Sequence, residues 1–398
     1  MSVFFEQSWW FAPILGISIC IIFVVMNSFL EFWNSLTVEK YLFIFSMVLG
    51  ICHVVLLVFR TVLLSKKSKK GDGEEGVSVI ITCVNKDLQL KENLVAFLEQ
   101  DYPNFEVIVV DECSEDETQI VLADLQKKYP NLKISRIFPG TKFRRTKKIA
   151  INIGILAASH DILLFSEIDA RPRTKNWIRT MQSYFTPETA VVLGDVRYET
   201  DGVVSVRNYF RFLRYCKMVF LNHLNMPIMG NGFNMAYRKK YYLEQRGFTK
   251  NTQEYIGFDT EMVQALSQKG AVKIAQGEDS WIEILNSSHK YWLDDVSYYC
   301  ATKRRWPWKA LILGHMNFVL EMFWYSILFY SLINYPLSIY FSGAICLTFL
   351  IDLILINICL KQLGLRKLFI TSLIVNMIGF VYKGYYSIYS IFTRRKWR

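Results

Sequence analysis

The sequence predicts an α/β domain on a mostly parallel, Rossmann-like sheet, held between N- and C-terminal transmembrane helices. Two observations lead there. The runs 7–30, 41–59 and 322–351 carry no charged residue, and each is about long enough to cross a bilayer. Between them, from about residue 66 to 305, polar and apolar residues mix, and short β-branched runs alternate with stretches of helical apolar spacing. Such alternation gives parallel strands joined by crossover helices, with ligands bound beyond the carboxyl ends of the strands.

In chain order, 9–33 and 41–64 read as two transmembrane helices with aromatic ends, joined by the short loop 34–40. No basic stretch precedes the first and a second apolar segment follows it closely, so it reads as a span and not as a cleaved signal peptide. Residues 65–76, SKKSKKGDGEEG, form a charged, glycine-containing linker. The run VSVIITCV at 77–84 reads as a buried strand, 88–100 as a helix burying Leu90, Leu94, Phe97 and Leu98, and 105–110 as a second strand. A helix over 120–128, a third strand over 132–137 and a helix over 146–159 follow. The fourth strand starts at Ile162 and runs through Phe165 into Glu167 and Asp169.

Beyond Pro307, the stretch 310–335 reads as one tilted helix, or as an interfacial helix up to Glu321 followed by a span, because a glutamate in hydrocarbon needs a partner. Residues 337–360 read as another span, and 368–392 as a third or a partly interfacial one. The total is four or five spans.

Net charge is +11, from 46 Lys and Arg against 35 Asp and Glu, and the excess clusters at membrane borders: Lys66, Lys67, Lys69 and Lys70; Lys303, Arg304, Arg305 and Lys309; Arg394, Arg395, Lys396 and Arg398. Border clusters of this kind mark the cytoplasmic side and attract anionic headgroups. A nucleic-acid binder would instead carry its charge on one face of a folded module beside base-reading residues, so nucleic acid is not an expected partner. The eight cysteines contain no C-x-x-C pair and no zinc-like spacing with the five scattered histidines. They read as small buried hydrophobes in a reducing compartment. Neither a Cys or Ser triad nor a His/Cys metal cluster is supported.

Chemistry concentrates at the strand ends. Side chains repeat with period 2 along extended backbone, so Glu167 and Asp169 leave the fourth strand on one side of the chain. Asn85, the acidic turn 111–116 and the pair Lys147 and Lys148 stand at the ends of neighbouring elements. Together they outline an acidic, nucleotide-sized crevice suited to a divalent cation held against a diphosphate. Carboxylate oxygens suit Mn or Mg alike.

Five segments fall in a known order. VSVIITCVN, QDYPNFEVIVVDECSEDET, TKKIAINIGILAA, LLFSEIDARP and GNGFNMAYR resemble the motifs of family 2 glycosyltransferases of GT-A fold, in register over residues 77–306. The resemblance implies that Asp111, with Glu112 beside it, holds the nucleotide base and ribose, and that Asn85 lines the donor site. It implies that Lys147 lies near the donor phosphates, with Arg144, Arg145 and Lys148 as competitors for that role. Glu167 and Asp169 fall on the family's DxD motif, with Asp169 the first choice as metal ligand and Glu167 serving metal and donor. Asn231, Gly232 and Asn234 fall on the acceptor side. The family's catalytic base comes from an acidic pair after that segment; here Phe258 replaces the first acid, which leaves Asp259 as base, with Glu254 and Glu261 as alternatives and an N-cap role for Asp259 as the plain reading. Arg305 and Trp306 match the end of the Gln-x-x-Arg-Trp segment of cellulose and hyaluronan synthases, whose Trp stacks on the acceptor; a basic, aromatic membrane border is the alternative.

The expected layout is membrane helices at 1–65, a linker at 66–76, a GT-A domain at 77–306 with its nucleotide-sugar half at 77–200 and acceptor half at 201–306, and further membrane helices at 307–398. The expected activity is metal-dependent, inverting transfer from a nucleotide-diphosphate sugar, UDP-linked by resemblance, to a surface glycan or lipid-linked acceptor at the cytoplasmic face of the cell membrane. A processive polysaccharide synthase and a non-catalytic nucleotide-sugar-binding protein stand as alternatives. The second draws on five departures from the family pattern: Thr82, Cys113, Glu167, Phe258 and Thr302.

Overall fold

The computed structural model describes residues 38–65, 73–138, 146–199, 206–248, 257–285, 288–334 and 339–362, with the single positions 27, 68, 70, 71, 381, 384–386, 388 and 389. The expected span over 9–33 lies outside the described residues, as does most of 368–392. In chain order the elements are α1 (Val38–Ser65), β1 (Val77–Cys83), α2 (Asp87–Leu98), β2 (Phe105–Asp111), α3 (Thr118–Lys128), β3 (Leu132–Arg136), α4 (Lys147–Ala157), β4 (Ile162–Glu167), β5 (Ala170–Pro172), α5 (Trp177–Gln182), β6 (Thr189–Leu193), β7 (Val196–Tyr198), α6 (Val206–His223), β8 (Met235–Arg238), α7 (Lys239–Glu244), α8 (Phe258–Leu266), β9 (Ala271–Ile274), β10 (Ile282–Ile284), α9 (His289–Thr302), α10 (Trp308–Asn334) and α11 (Ile339–Gln362).

Seven strands form one sheet in the order β3-β2-β1-β4-β8-β6-β9. Its first four are mutually parallel, as their alternation with helices requires, and β8 runs antiparallel to both β4 and β6. The register places Cys83 opposite Asp111 and Thr82 opposite Glu167, so the carboxyl ends of β2, β1 and β4 lie side by side. A small second sheet, β5-β10-β7, follows directly from the Glu167–Asp169 turn.

The central strands are buried on both faces, which explains their unbroken β-branched runs. One face carries Ile80, Ile108, Val110, Leu163 and Phe165; the other carries Val79, Ile81, Val107, Val109 and Leu164. The helix α4 lies flat on the first face because Gly154 brings its backbone down onto β1 and β2: a Cβ there would stand 2.6 Å from Ile80 Cγ2 and 3.2 Å from Val110 Cγ2. Gly154→Val is therefore expected to overpack this layer and cost about 1–3 kcal/mol. A lowered thermal midpoint of the purified protein in detergent checks it; an unchanged midpoint would show that the layer has room to yield.

Among the described residues, three helices are long and apolar enough to cross a membrane: Lys40–Leu64, Trp308–Asn334 and Phe341–Lys361. The chain divides into two compact units. In the smaller, residues 1–55 with 319–351, the Phe43 and Phe341 rings meet edge to face with centroids 5.8 Å apart, and Gly50 faces the Trp324 ring, which a Cβ would approach to 2.9 Å. In the larger unit, Thr61 Oγ1 lies 3.1 Å from Cys359 Sγ, and Phe59 packs edge to face on Phe220 of α6. The two acids within the apolar helices, Glu321 and Asp352, are both buried, as acids in spanning segments are expected to be.

Candidate functional site

The site begins at the ends of β1, β2 and β4. Asp111 is buried at the last position of β2, and one of its oxygens accepts the Ser114 N–H at 2.8 Å, closing the turn into α3. Its other oxygen lies 3.6 Å from Arg136 Nε, beyond hydrogen-bonding distance, and accepts no hydrogen bond among the described residues. Burial pushes the Glu112 carboxyl above the usual range, against the pull of Lys147 and of the Thr82 hydroxyl. Asn85 turns out to serve the loops: its left-handed backbone (φ +52°) reverses the chain after β1, its N–H donates to Ser114 Oγ at 2.9 Å, and its Oδ1 accepts the Glu115 N–H at 2.9 Å. Its side-chain oxygen thus supports the turn after Asp111.

Each acid of the Glu167-x-Asp169 segment meets a lysine. Lys147, the first residue of α4, pairs with Glu167, and its Nζ also stands 5.3 Å from the centre of the Phe258 ring. Lys86, the residue after Asn85, donates to both Asp169 oxygens at 2.7 and 2.9 Å. Lys148, a competitor for the phosphate role, is buried and paired with Glu261 at 2.7 Å.

Asp259 faces these groups from α8. The helix starts two residues earlier than an N-cap at Asp259 would place it, with Gly257 (φ +78°) at its cap, so Asp259 lies within the first turn and is not the N-cap. Its carboxylate accepts the Thr260 N–H at 2.8 Å, the Tyr298 hydroxyl at 3.1 Å and the Gly232 N–H at 3.3 Å. Burial nevertheless pushes its pKa above the usual aspartate range. The base role expected of Asp259 requires the ionised form, so a raised pKa would move the acid limb of such an activity to higher pH. Tyr298→Phe removes a donor to the ionised form, raises the pKa further and is expected to shift that limb upward again, as a pH profile of the transfer rate would record.

A cavity of about 310 Å³ joins the two sides. Lys147 and Glu167 line it from the sheet edge, Asp259 and Phe258 from α8, and Asn231 and Gly232 from the loop before β8. Its remaining walls escaped the sequence reading. Arg211 and Arg214 of α6 and Asp295 of α9 line it as a linked group: Arg211 lies 2.9 Å and Arg214 3.0 Å from Asp295 Oδ1. Burial works to raise the Asp295 carboxyl, but the two guanidinium groups outweigh it and hold it below the usual range. Tyr291, Tyr298 and Tyr299 of α9 add flat aromatic surface. The signal was the arginine spacing in α6, 207, 211 and 214, which puts three cations on one helical face.

Three residues expected on the acceptor side lie elsewhere. Asn234 is fully buried; its amide donates to the Asp195 and Ser280 carbonyls at 2.7 Å each and accepts from Trp177 Nε1 at 3.1 Å, so it is a lock between segments. Trp306 is buried, with Tyr299, His315 and Lys217 around its ring, and does not line the cavity. Arg305 stands 3.7 Å from Glu261 and packs over Gly257 at the start of α8, also off the cavity wall. Thr302, at the position where the processive synthases carry Gln, lines it instead.

Among the described residues, no group of three His, Cys, Asp or Glu side chains stands ready to cage a metal. Mg and Mn do not require one: they commonly bind through one or two carboxylates and take further oxygens from substrate phosphates. Asp169, whose two oxygens already converge on a cation, the Lys86 ammonium, fits that donor set, with Glu167 two residues away.

Comparison with known proteins agrees with this architecture. Residues 78–247 match the family model described as glycosyl transferase family 2. Ceramide glucosyltransferase 3 of Caenorhabditis elegans is 23% identical over 205 residues, 52% of this chain and 39% of that protein. A dolichyl N-acetyl-α-D-glucosaminyl phosphate 3-β-D-2,3-diacetamido-2,3-dideoxy-β-D-glucuronosyltransferase of Methanococcus voltae is 26% identical over 192 residues, 47% of this chain and 54% of that protein. The matched stretches thus span about half or less of these relatives. A mannosyltransferase of Pyrobaculum calidifontis, solved with GDP-Man and Mn2+, superposes with a TM-score of 0.58 at 16% identity, covering 90% of this chain and all of that one.

Proposed function

Because the chain carries a family 2 glycosyltransferase domain of GT-A fold, we propose that it moves a sugar, with inversion, from a nucleotide-diphosphate sugar to a lipid-linked or surface-glycan acceptor at a membrane. One observation carries the reading: a single cavity is lined by Glu167 and Lys147 from the strand edge and by Asp259 from the opposite side. Phosphate-facing charge and a buried carboxylate therefore share one chamber, at the small end of the range of about 300–1,000 Å³ for small-molecule sites.

In this reading Asp111 takes the base and ribose through the oxygen that accepts no hydrogen bond among the described residues. Asp259 accepts the proton of the acceptor hydroxyl, whose oxygen attacks the anomeric carbon as the bond to the diphosphate breaks and the electron pair leaves with the phosphate oxygen. Lys147 neutralises charge on that leaving group. A divalent cation, Mn or Mg, held by Asp169 with Glu167 beside it, would stabilise the same developing charge when bound.

The lipid side of the proposal draws on the three apolar helices and on the names of the relatives, which act on ceramide and on a dolichyl-phosphate glycan. The basic clusters at Lys66–Lys70, Lys303–Lys309 and Arg394–Arg398 support a cytoplasmic catalytic face by the positive-inside rule. The enclosed Trp306 ring argues against the processive reading, which needs that ring open to the growing chain. Screening a panel of nucleotide sugars for metal-dependent release of free nucleotide, with and without lipid extract, tests the proposal. Turnover that rises with lipid supports it; binding without any turnover would favour a non-catalytic sensor.

A further inference from the structure

We propose that Lys86 is a positioning residue that occupies Asp169 in the donor-free protein and yields to the divalent cation only when a nucleotide diphosphate arrives, so that cation and donor bind as a pair. The proposal rests on the metal reading of Asp169 given above.

The contact is built from both sides. Asn85 reverses the chain, its N–H and Oδ1 tie it to Ser114 and Glu115, and the Lys86 N–H donates to Thr118 Oγ1 at 3.1 Å. These bonds fix where the lysine begins. Asn93 Nδ2 donates to the Ile168 carbonyl at 2.7 Å, and the Leu285 N–H donates to the Asp169 carbonyl at 3.2 Å, which fixes the turn that carries the carboxylate. Only the four-carbon stem of Lys86 is left to swing, and its head is partly exposed.

Charge then decides the order of binding. Glu167 and Asp169 supply two negative charges, and Lys147 and Lys86 supply two positive ones, each lysine from a different element. In this quartet each carboxylate is matched by an ammonium, and the Lys86 ammonium holds both Asp169 oxygens, so a free dication has to displace it. A nucleotide diphosphate brings the missing negative charge and offers the Lys86 ammonium phosphate oxygens in place of the carboxylate. The cation can then take Asp169.

Mn2+ binding to the full-length protein in detergent, read from the paramagnetic resonance of free Mn2+, tests this with and without UDP. Without UDP, Lys86→Met is expected to bind Mn2+ about tenfold or more tightly than the unmodified protein, while Lys86→Arg stays weak. With UDP the gap is expected to close to about threefold or less, and Asp169→Asn is expected to lose the bound Mn2+ in both conditions. Equal Mn2+ affinity of Lys86→Met and the unmodified protein without UDP overturns the lysine's role and leaves the metal reading standing. Absence of Mn2+ binding in every variant, with UDP present, overturns the metal reading and this proposal with it.

Discussion

Asp259→Asn is expected to lower the rate of sugar transfer by about 10²- to 10⁴-fold, the usual contribution of a positioned general base. The substitution keeps the size of the side chain and an oxygen that can accept from Thr260 N–H and Tyr298, so the loss is chemical and the fold of α8 survives. Donor affinity should change little, because the donor is held at the strand edge. Titration of the nucleotide sugar alongside single-turnover rates separates the two quantities. Of the alternatives, Glu261 is paired with Lys148 and lies 3.7 Å from Arg305, and Glu254 lies outside the described residues. If Asp259→Asn keeps more than about a tenth of the rate, the proton goes elsewhere, and Glu254 becomes the group to replace.

Asp169→Ala carries the other large effect. It removes the carboxylate that would hold the dication and leaves Lys86 without the partner on which both of its hydrogen bonds to this segment end. Transfer is expected to fall by at least about 10²- to 10³-fold, the scale of losing one preorganised electrostatic contact to a leaving group. The protein should still insert in the membrane, since the apolar helices are separate from this turn in sequence. Unaltered activity with retained dependence on added Mn or Mg would move the metal to another ligand set.

Much of the strand edge is legible in the amino-acid sequence because its signals are local. A β-branched run that stops at a carboxylate reads as a strand end, and period-2 spacing puts Glu167 and Asp169 on one side. Partners set by long-range register are not legible in this way. Lys86 and Asp169 are 83 positions apart and meet because β1 pairs in parallel with β4 and Asn85 turns the chain back between them. The cavity wall of Arg211, Arg214 and Asp295 joins α6 to α9, two helices to which sequence patterning assigns no role. Asn234 and Trp306 show a second limit. Their motif positions match a known pattern, but burial and hydrogen bonding, which decide what a side chain can touch, are absent from a motif.

The two glycines of the 230–233 loop limit how the walls of this cavity can be altered. A Cβ on Gly230 would press to 2.5 Å from the Asp259 carbonyl oxygen, and one on Gly232 to 2.5 Å from Phe258 Cζ. A side chain at 230 therefore presses on the Asp259 backbone, and one at 232 on the Phe258 ring beside it. Asn231 and Phe233, between and after them, line the same chamber; Asn231 Oδ1 accepts the Phe233 N–H at 3.2 Å, and the Phe233 ring lies beside the Arg211 guanidinium. Under the proposed function, Phe233 is therefore the place to begin altering acceptor choice, because its side chain lines the chamber without making a hydrogen bond that shapes the loop.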